Sequence, residues 1–258
     1  MVPVLTIVFL AISALICFIV PLLLFLRIKK HSNQLLVPVI AGAVGFFVMQ
    51  MIIRIPLLAL FDFTDWNIYA TGIFLGFTAA LFETVGRFLT MKFLMKDDRR
   101  FFAGFAHGIG HGGIEAILLV GINYIVYIYF AILINTNNFP AIGLGSQSIV
   151  SITEVLIDNP SGIFLVAGFE RVVTILLHIC LSILTIFAIK KKDYKYLLIV
   201  LGIHTIVDFG AVVLMGSGVS VYLVELFVLI MLICTSFIVM NVYNEYKREA
   251  LEEGETND

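Results

Sequence analysis

The chain has 258 residues, 61% of them hydrophobic and only 13% charged, with a mean hydropathy of +1.08. No soluble domain of this size carries so much apolar surface, so the composition is that of a polytopic membrane protein. A formal net charge of −2 without any basic domain excludes nucleic acid as a partner.

Seven stretches approach the roughly 20 apolar residues that a bilayer requires. They run over 3–26, 36–61, 68–94, 101–134, 162–189, 195–215 and 219–243. The first has no basic segment ahead of it and is long enough to span, so it is expected as a membrane helix and not as a cleaved signal. The fourth is too long for a simple span, and its end near Tyr124 to Phe130 is expected to bend, tilt or emerge. The connection 135–161 is rich in Asn, Gly, Ser and Pro, which fits either a flexible external connector or a re-entrant cap over a cavity. Residues 1–248 form a single seven-helix membrane domain, and the acidic tail 249–258 is expected to be disordered. The three cysteines, Cys17, Cys180 and Cys234, lie far apart in apolar runs. They form no disulfide framework or thiolate metal motif and are expected as small core residues.

Basic residues fall on every second connection. Arg27, Lys29 and Lys30 follow the first span, and Lys92, Lys96, Arg99 and Arg100 the third. Lys190, Lys191, Lys192 and Lys195 follow the fifth, and Lys247 and Arg248 the seventh. The remaining connections carry Asp62 and Asp65, then Glu154 and Asp158, then no charge. Under the positive-inside rule this predicts an all-α fold of seven transmembrane helices with the N-terminus outside and the C-terminus cytoplasmic.

Ionisable groups within apolar helices are costly and usually face a partner or a wet cavity. Gln50 and Arg54 lie one turn apart in the second span, where Arg54 is expected to pair with Asp62 or Asp65. Glu83 and Arg87 share a face of the third span, and His107, His111 and Glu115 a face of the fourth. Gly104, Gly108 and Gly112 beside them form a small-xxx-small stripe suited to close helix packing. The fifth span supplies Glu170, Arg171, Thr174 and His178, and the sixth His204 and Asp208, an acid one turn from a histidine whose tautomer it can fix. At about 1.5 Å per residue from the nearest basic cluster, Glu83 lies about 14 Å deep, His111 about 16, His178 about 18 and His204 about 14. Four groups on four helices at one level are expected to meet.

With Glu83-x-x-x-Arg87, His111-x-x-x-Glu115, His178 and His204-x-x-x-Asp208 in view, the chain resembles the YhfC family of intramembrane peptidases over essentially its whole length. That group is similar to the type II CAAX-protease and bacteriocin-processing superfamily, to PrsW and, more distantly, to the seven-span scaffold subunit of γ-secretase. The resemblance implies a glutamate-and-histidine site in a bacterial plasma membrane that cleaves a membrane-associated protein or peptide. Glu83 and Arg87 match the end of an E-E-x-x-x-R element, and His204 and Asp208 an H-x-x-x-N/D element. If Arg87 fixes the register, Phe82 stands where the first, water-activating glutamate would be, which leaves the base open between Glu83 and Glu115.

Peptide hydrolysis needs an activated water and stabilisation of the developing oxyanion. The expected arrangement has Glu83 or Glu115 deprotonating a water held by His111 and His204. His178 then faces the oxyanion, while Arg87 and Asp208 orient their neighbours. H-E-x-x-H is absent, so no cofactor is expected; the alternative is zinc held by His111, His178 and His204. Two other functions fit the same residues, a non-catalytic membrane scaffold and an ion-coupled carrier. The lack of an internal repeat argues against the carrier.

Overall fold

The computed structural model describes residues 1–30, 33–136, 138 and 146–255. In hydrocarbon every backbone polar group must be satisfied within its own segment, and the chain meets this with helices; no strand occurs among the described residues. Among the described residues seven helices are long and apolar enough to cross a membrane: α1 (Val4–Lys29), α2 (Leu36–Leu58), α3 (Ile68–Leu94), α4 (Phe101–Asn135), α6 (Gly162–Lys191), α7 (Lys195–Gly216) and α8, which begins at Val221. Between α4 and α6 lies a shorter helix, α5 (Ser146–Asp158).

α6 is the central post. Of its most apolar stretch 78% is buried, against at most 33% for any other span. It packs along α4, α1, α8 and α7, while α3 lies against α7, and α2 against both α4 and α3. The glycines of α4 make the inner contacts possible. A Cβ at Gly108 would stand 2.3 Å from Ile179 Cα on α6, and one at Gly110 would stand 1.9 Å from the Val39 carbonyl on α2. Gly42 answers from α2, where a Cβ would meet the His107 carbonyl at 2.0 Å.

Two spans depart from α winding. Phe47–Arg54 in α2 and Ile117–Gly121 in α4 are π-helical, a winding that in short stretches is frequent at functional sites. The overlong fourth span therefore changes its winding before the expected Tyr124–Phe130, and the helix stays continuous to Asn135.

Both ends of the bundle are tied by polar contacts. At one end the basic connections gather: Arg100 Nη2 donates to Gln34 Oε1 at 3.2 Å, Tyr246 Oη to the Arg99 carbonyl at 2.9 Å, and Lys190 Nζ to Glu249 Oε2 at 2.5 Å. At the other, the Val2 amide donates to Asn135 Oδ1 at 2.7 Å, and the hydroxyls of Thr6 and Ser161 meet at 2.7 Å.

Several sequence expectations change here. Part of the connection 135–161 is the helix α5, whose Leu156 is buried with Val2, Leu10, Ala131 and Phe164, so this part is neither a loose connector nor a cap. Residues 137 and 139–145 of that connection lie outside the described residues. At the tail α8 is helical to Glu255, and Glu249 meets Lys190 and Lys191 at the end of α6. Residues 256–258 lie outside the described residues. Cys17 and Cys180 are buried as expected, but Cys234 is exposed.

The backbone approaches give a direct test. Gly110→Val and Gly42→Val are each expected to lower stability by about 1–3 kcal/mol or more through overpacking. Gly202→Val, where a Cβ meets nothing within 4 Å, is expected to leave the melting temperature of the detergent-solubilised protein nearly unchanged.

Candidate active site

The polar residues of α2, α3, α4, α6 and α7 converge midway along the bundle. Glu83, Arg87, His111, His178, His204 and Glu115 are all buried, Glu115 being the most exposed at 9%. The Glu83 carboxylate is the hub. Its Oε2 lies 2.9 Å from His111 Nε2, 3.1 Å from Arg87 Nη2 and 3.6 Å from His204 Nε2, and its Oε1 accepts a hydrogen bond from Gln50 Nε2 at 2.5 Å.

Arg87 joins the group through Nη2 alone, which lies 3.0 Å from His111 Nε2 and 2.5 Å from His178 Nδ1. The opposite ring nitrogen of His178 is Nε2. That Nε2 stands 2.5 Å from Glu115 Oε2, although the approach lacks hydrogen-bond alignment and leaves the oxygen unbonded. Glu115 Oε1 accepts from Arg171 Nη1 at 3.0 Å, and the same guanidinium forks onto Glu170. On α7, His204 Nε2 is 3.4 Å from Asp208 Oδ2, and the Asp208 side chain is 32% exposed.

All seven residues singled out in the sequence are thus connected in space, and two adjoining layers join them. His107 sits behind His111, held by Thr90 Oγ1 at 3.0 Å and Ser182 Oγ at 3.2 Å. On the other side stand Gln50 and Arg54. Arg54 does not pair with Asp62 or Asp65; it donates to Gln50 Oε1, Thr78 Oγ1 and the Leu75 carbonyl. The one-turn spacing of Gln50 and Arg54 was the sequence signal for a polar face on α2, but nothing in the sequence aimed it at Glu83.

Glu83, Glu115, His178, His204 and Asp208 line a cavity of about 470 Å³. From this floor its lining runs to Leu58 on α2, Leu75 on α3, Glu170 on α6 and Val212 on α7. On each helix that direction leads away from the basic end. His111 and Arg87 lie behind the floor and do not line it.

One donor atom from each of Glu83, His111, Glu115 and His178 lies within 4.8 Å of the others. Two imidazole nitrogens and two carboxylate oxygens are a set that zinc accepts, and Glu115 Oε2, beside His178 Nε2, accepts no aligned hydrogen bond. The residues therefore fit a divalent ion. This group shares His111 and His178 with the expected set and adds Glu83 and Glu115, while His204 Nε2 lies 3.6 Å from Glu83 Oε2 and 3.4 Å from Asp208 Oδ2.

Removing one partner of a buried ion pair strands the other charge at a cost of about 3–5 kcal/mol. Glu83→Gln and Arg87→Met should each lower stability, and the double variant should lose less than the sum by more than about 1 kcal/mol. Additive losses in denaturant unfolding would show that the two groups are not coupled.

Comparison with known proteins is consistent with this arrangement. A family model described as YhfC intramembrane metalloprotease matches residues 16–229. The membrane protein YhfC of Bacillus subtilis (strain 168) is 32% identical over 216 residues, covering 80% of this chain and 84% of that protein. With seven apolar helices and a bacterial membrane-protein relative, the chain is an integral protein of the bacterial plasma membrane. It belongs to the YhfC intramembrane metalloprotease family.

Proposed function

We propose that the protein is a metal-dependent intramembrane endopeptidase that hydrolyses a membrane-associated protein or peptide at the floor of its cavity. The observation that carries this reading is the convergence of four buried donors, Glu83, His111, Glu115 and His178, beside a cavity inside an apolar bundle. These four residues hold the ion, zinc being the natural choice for two nitrogens and two oxygens. When bound, such an ion polarises water and the carbonyl of the scissile peptide.

The protein's own groups do the rest. Gln50 holds one oxygen of Glu83 and so directs the other towards the histidines. Arg87 supplies positive charge behind the donors without entering the cavity. Glu83, already met by Gln50, Arg87 and His111, is better placed as a ligand than as a free base. His204 lies on the cavity wall, oriented by Asp208, and takes the proton released by the attacking water before passing it to the leaving amine. Glu83, Arg87 and His111 are buried at or behind the cavity floor, which strengthens the interactions among them. Under the positive-inside rule the cavity opens towards the outer face, since its lining runs away from the basic end.

Protein purified without chelators should contain about one zinc per chain, and chelation should stop cleavage in proteoliposomes. His178→Ala and Glu115→Gln should lose both metal and activity, whereas His204→Ala should keep the metal and lose activity. Full cleavage by metal-free protein would overturn the metal assignment. For orientation, a single cysteine at the 79% exposed Leu60 should react with an impermeant maleimide added outside intact cells; labelling only after lysis would reverse the topology.

A further inference from the structure

Among the described residues around the cavity floor, Glu83, Glu115 and Glu170 each have a guanidinium within 4 Å, Asp208 has only the His204 imidazole, and Arg54 has no carboxylate. Glu83 meets Arg87, and Glu115 and Glu170 both meet Arg171. Arg54, a half-buried side chain on the cavity wall, has no carboxylate within that distance among the described residues. Its three protein bonds all go to neutral acceptors: Nη1 to Gln50 Oε1 at 3.2 Å, Nε to Thr78 Oγ1 at 3.2 Å and Nη2 to the Leu75 carbonyl at 2.7 Å. A guanidinium has five N–H groups, so one N–H remains free on each terminal nitrogen. That pair matches the two oxygens of a carboxylate. A cation in an apolar bundle is costly until an anion joins it. Neutral acceptors hold this one in place without discharging it.

We propose that Arg54 is a substrate-binding residue that anchors a carboxylate of the peptide beside the scissile bond. The proposal rests on the peptidase reading above for what fills the cavity. Gln50 sets the register, because it bonds Arg54 with its oxygen and Glu83 with its nitrogen, leaving one side chain between anchor and floor. The carboxylate is either a free C-terminus or an acidic side chain near the cleavage point.

Binding tests this without requiring cleavage. Metal-loaded protein in nanodiscs is titrated with N-decanoyl-leucine and with its carboxamide. The acid should bind at least about tenfold more tightly than the amide, the difference expected when a charged hydrogen-bond pair is formed. Arg54→Gln should bring the two within about twofold while metal content stays unchanged, and Arg54→Lys, lacking the fork, should keep only part of the preference. Decanoyl-glutamyl-leucinamide, which carries its acid on a side chain, distinguishes the two sources: whichever acid shows the Arg54-dependent preference identifies the carboxylate. Equal binding of acid and amide to the native protein would overturn the proposal. So would a preference that survives Arg54→Gln, since the carboxylate would then be held by the metal. His204→Ala protein should cleave nothing yet keep the same preference, so failure of the anchor and failure of the peptidase reading give different results.

Discussion

The pairing of Glu83 with Arg87 is the constraint on which the rest of this bundle depends. Two opposite charges in an apolar interior do not offset their own desolvation unless further hydrogen bonds complete them. Here the completion comes from Gln50 on α2, His111 on α4, and His178 on α6. Each contributor fixes the rotation of its helix, because a turn of one residue would carry the polar group away to lipid. The network therefore sets register among helices whose apolar faces are otherwise interchangeable.

Close packing supplies the other half. Hydrophobic burial does not drive helices together inside a bilayer, where lipid tails are as apolar as leucine. Small residues take over, and the glycines of α2 and α4 bring backbones to distances that leave no room for a Cβ. The polar network alone would leave the helices too far apart for 3 Å contacts. Glycine contacts alone would leave several rotations equally good. Together they specify one arrangement.

Much of this was legible in the sequence. Six of the seven spans match the observed helices to within three residues at either end, because hydropathy over 20 residues is a strong signal; the seventh, expected to end at 243, runs on to Glu255. The shared depth of Glu83, His111, His178 and His204 was also readable, since helical rise is constant. What could not be read was azimuth. Depth says that two side chains lie at one level, but not that they face each other, and so the nearness of Glu83 and Glu115 to His111 and His178 could not be read from it. The role of Gln50 was hidden for the same reason, and its placement further depends on the π winding of Phe47–Arg54, which no residue pattern announces. The contacts of Glu249 with Lys190 and Lys191 on another helix were likewise invisible in the composition of the acidic tail.

The π-helical stretches have a consequence for how such a protein can diverge. A π turn is in effect one residue inserted into an α-helix; on α2 it carries Gln50 and Arg54 themselves, and on α4 it begins two residues after Glu115. The winding below it is pinned by the ionic network, but beyond it on α2 the segment Ile55–Leu58, which carries the cavity-lining Leu58, has its phase set separately. The mouth can thus be re-faced by sequence change without disturbing the chemistry beneath, so that relatives sharing one floor are free to admit different guests.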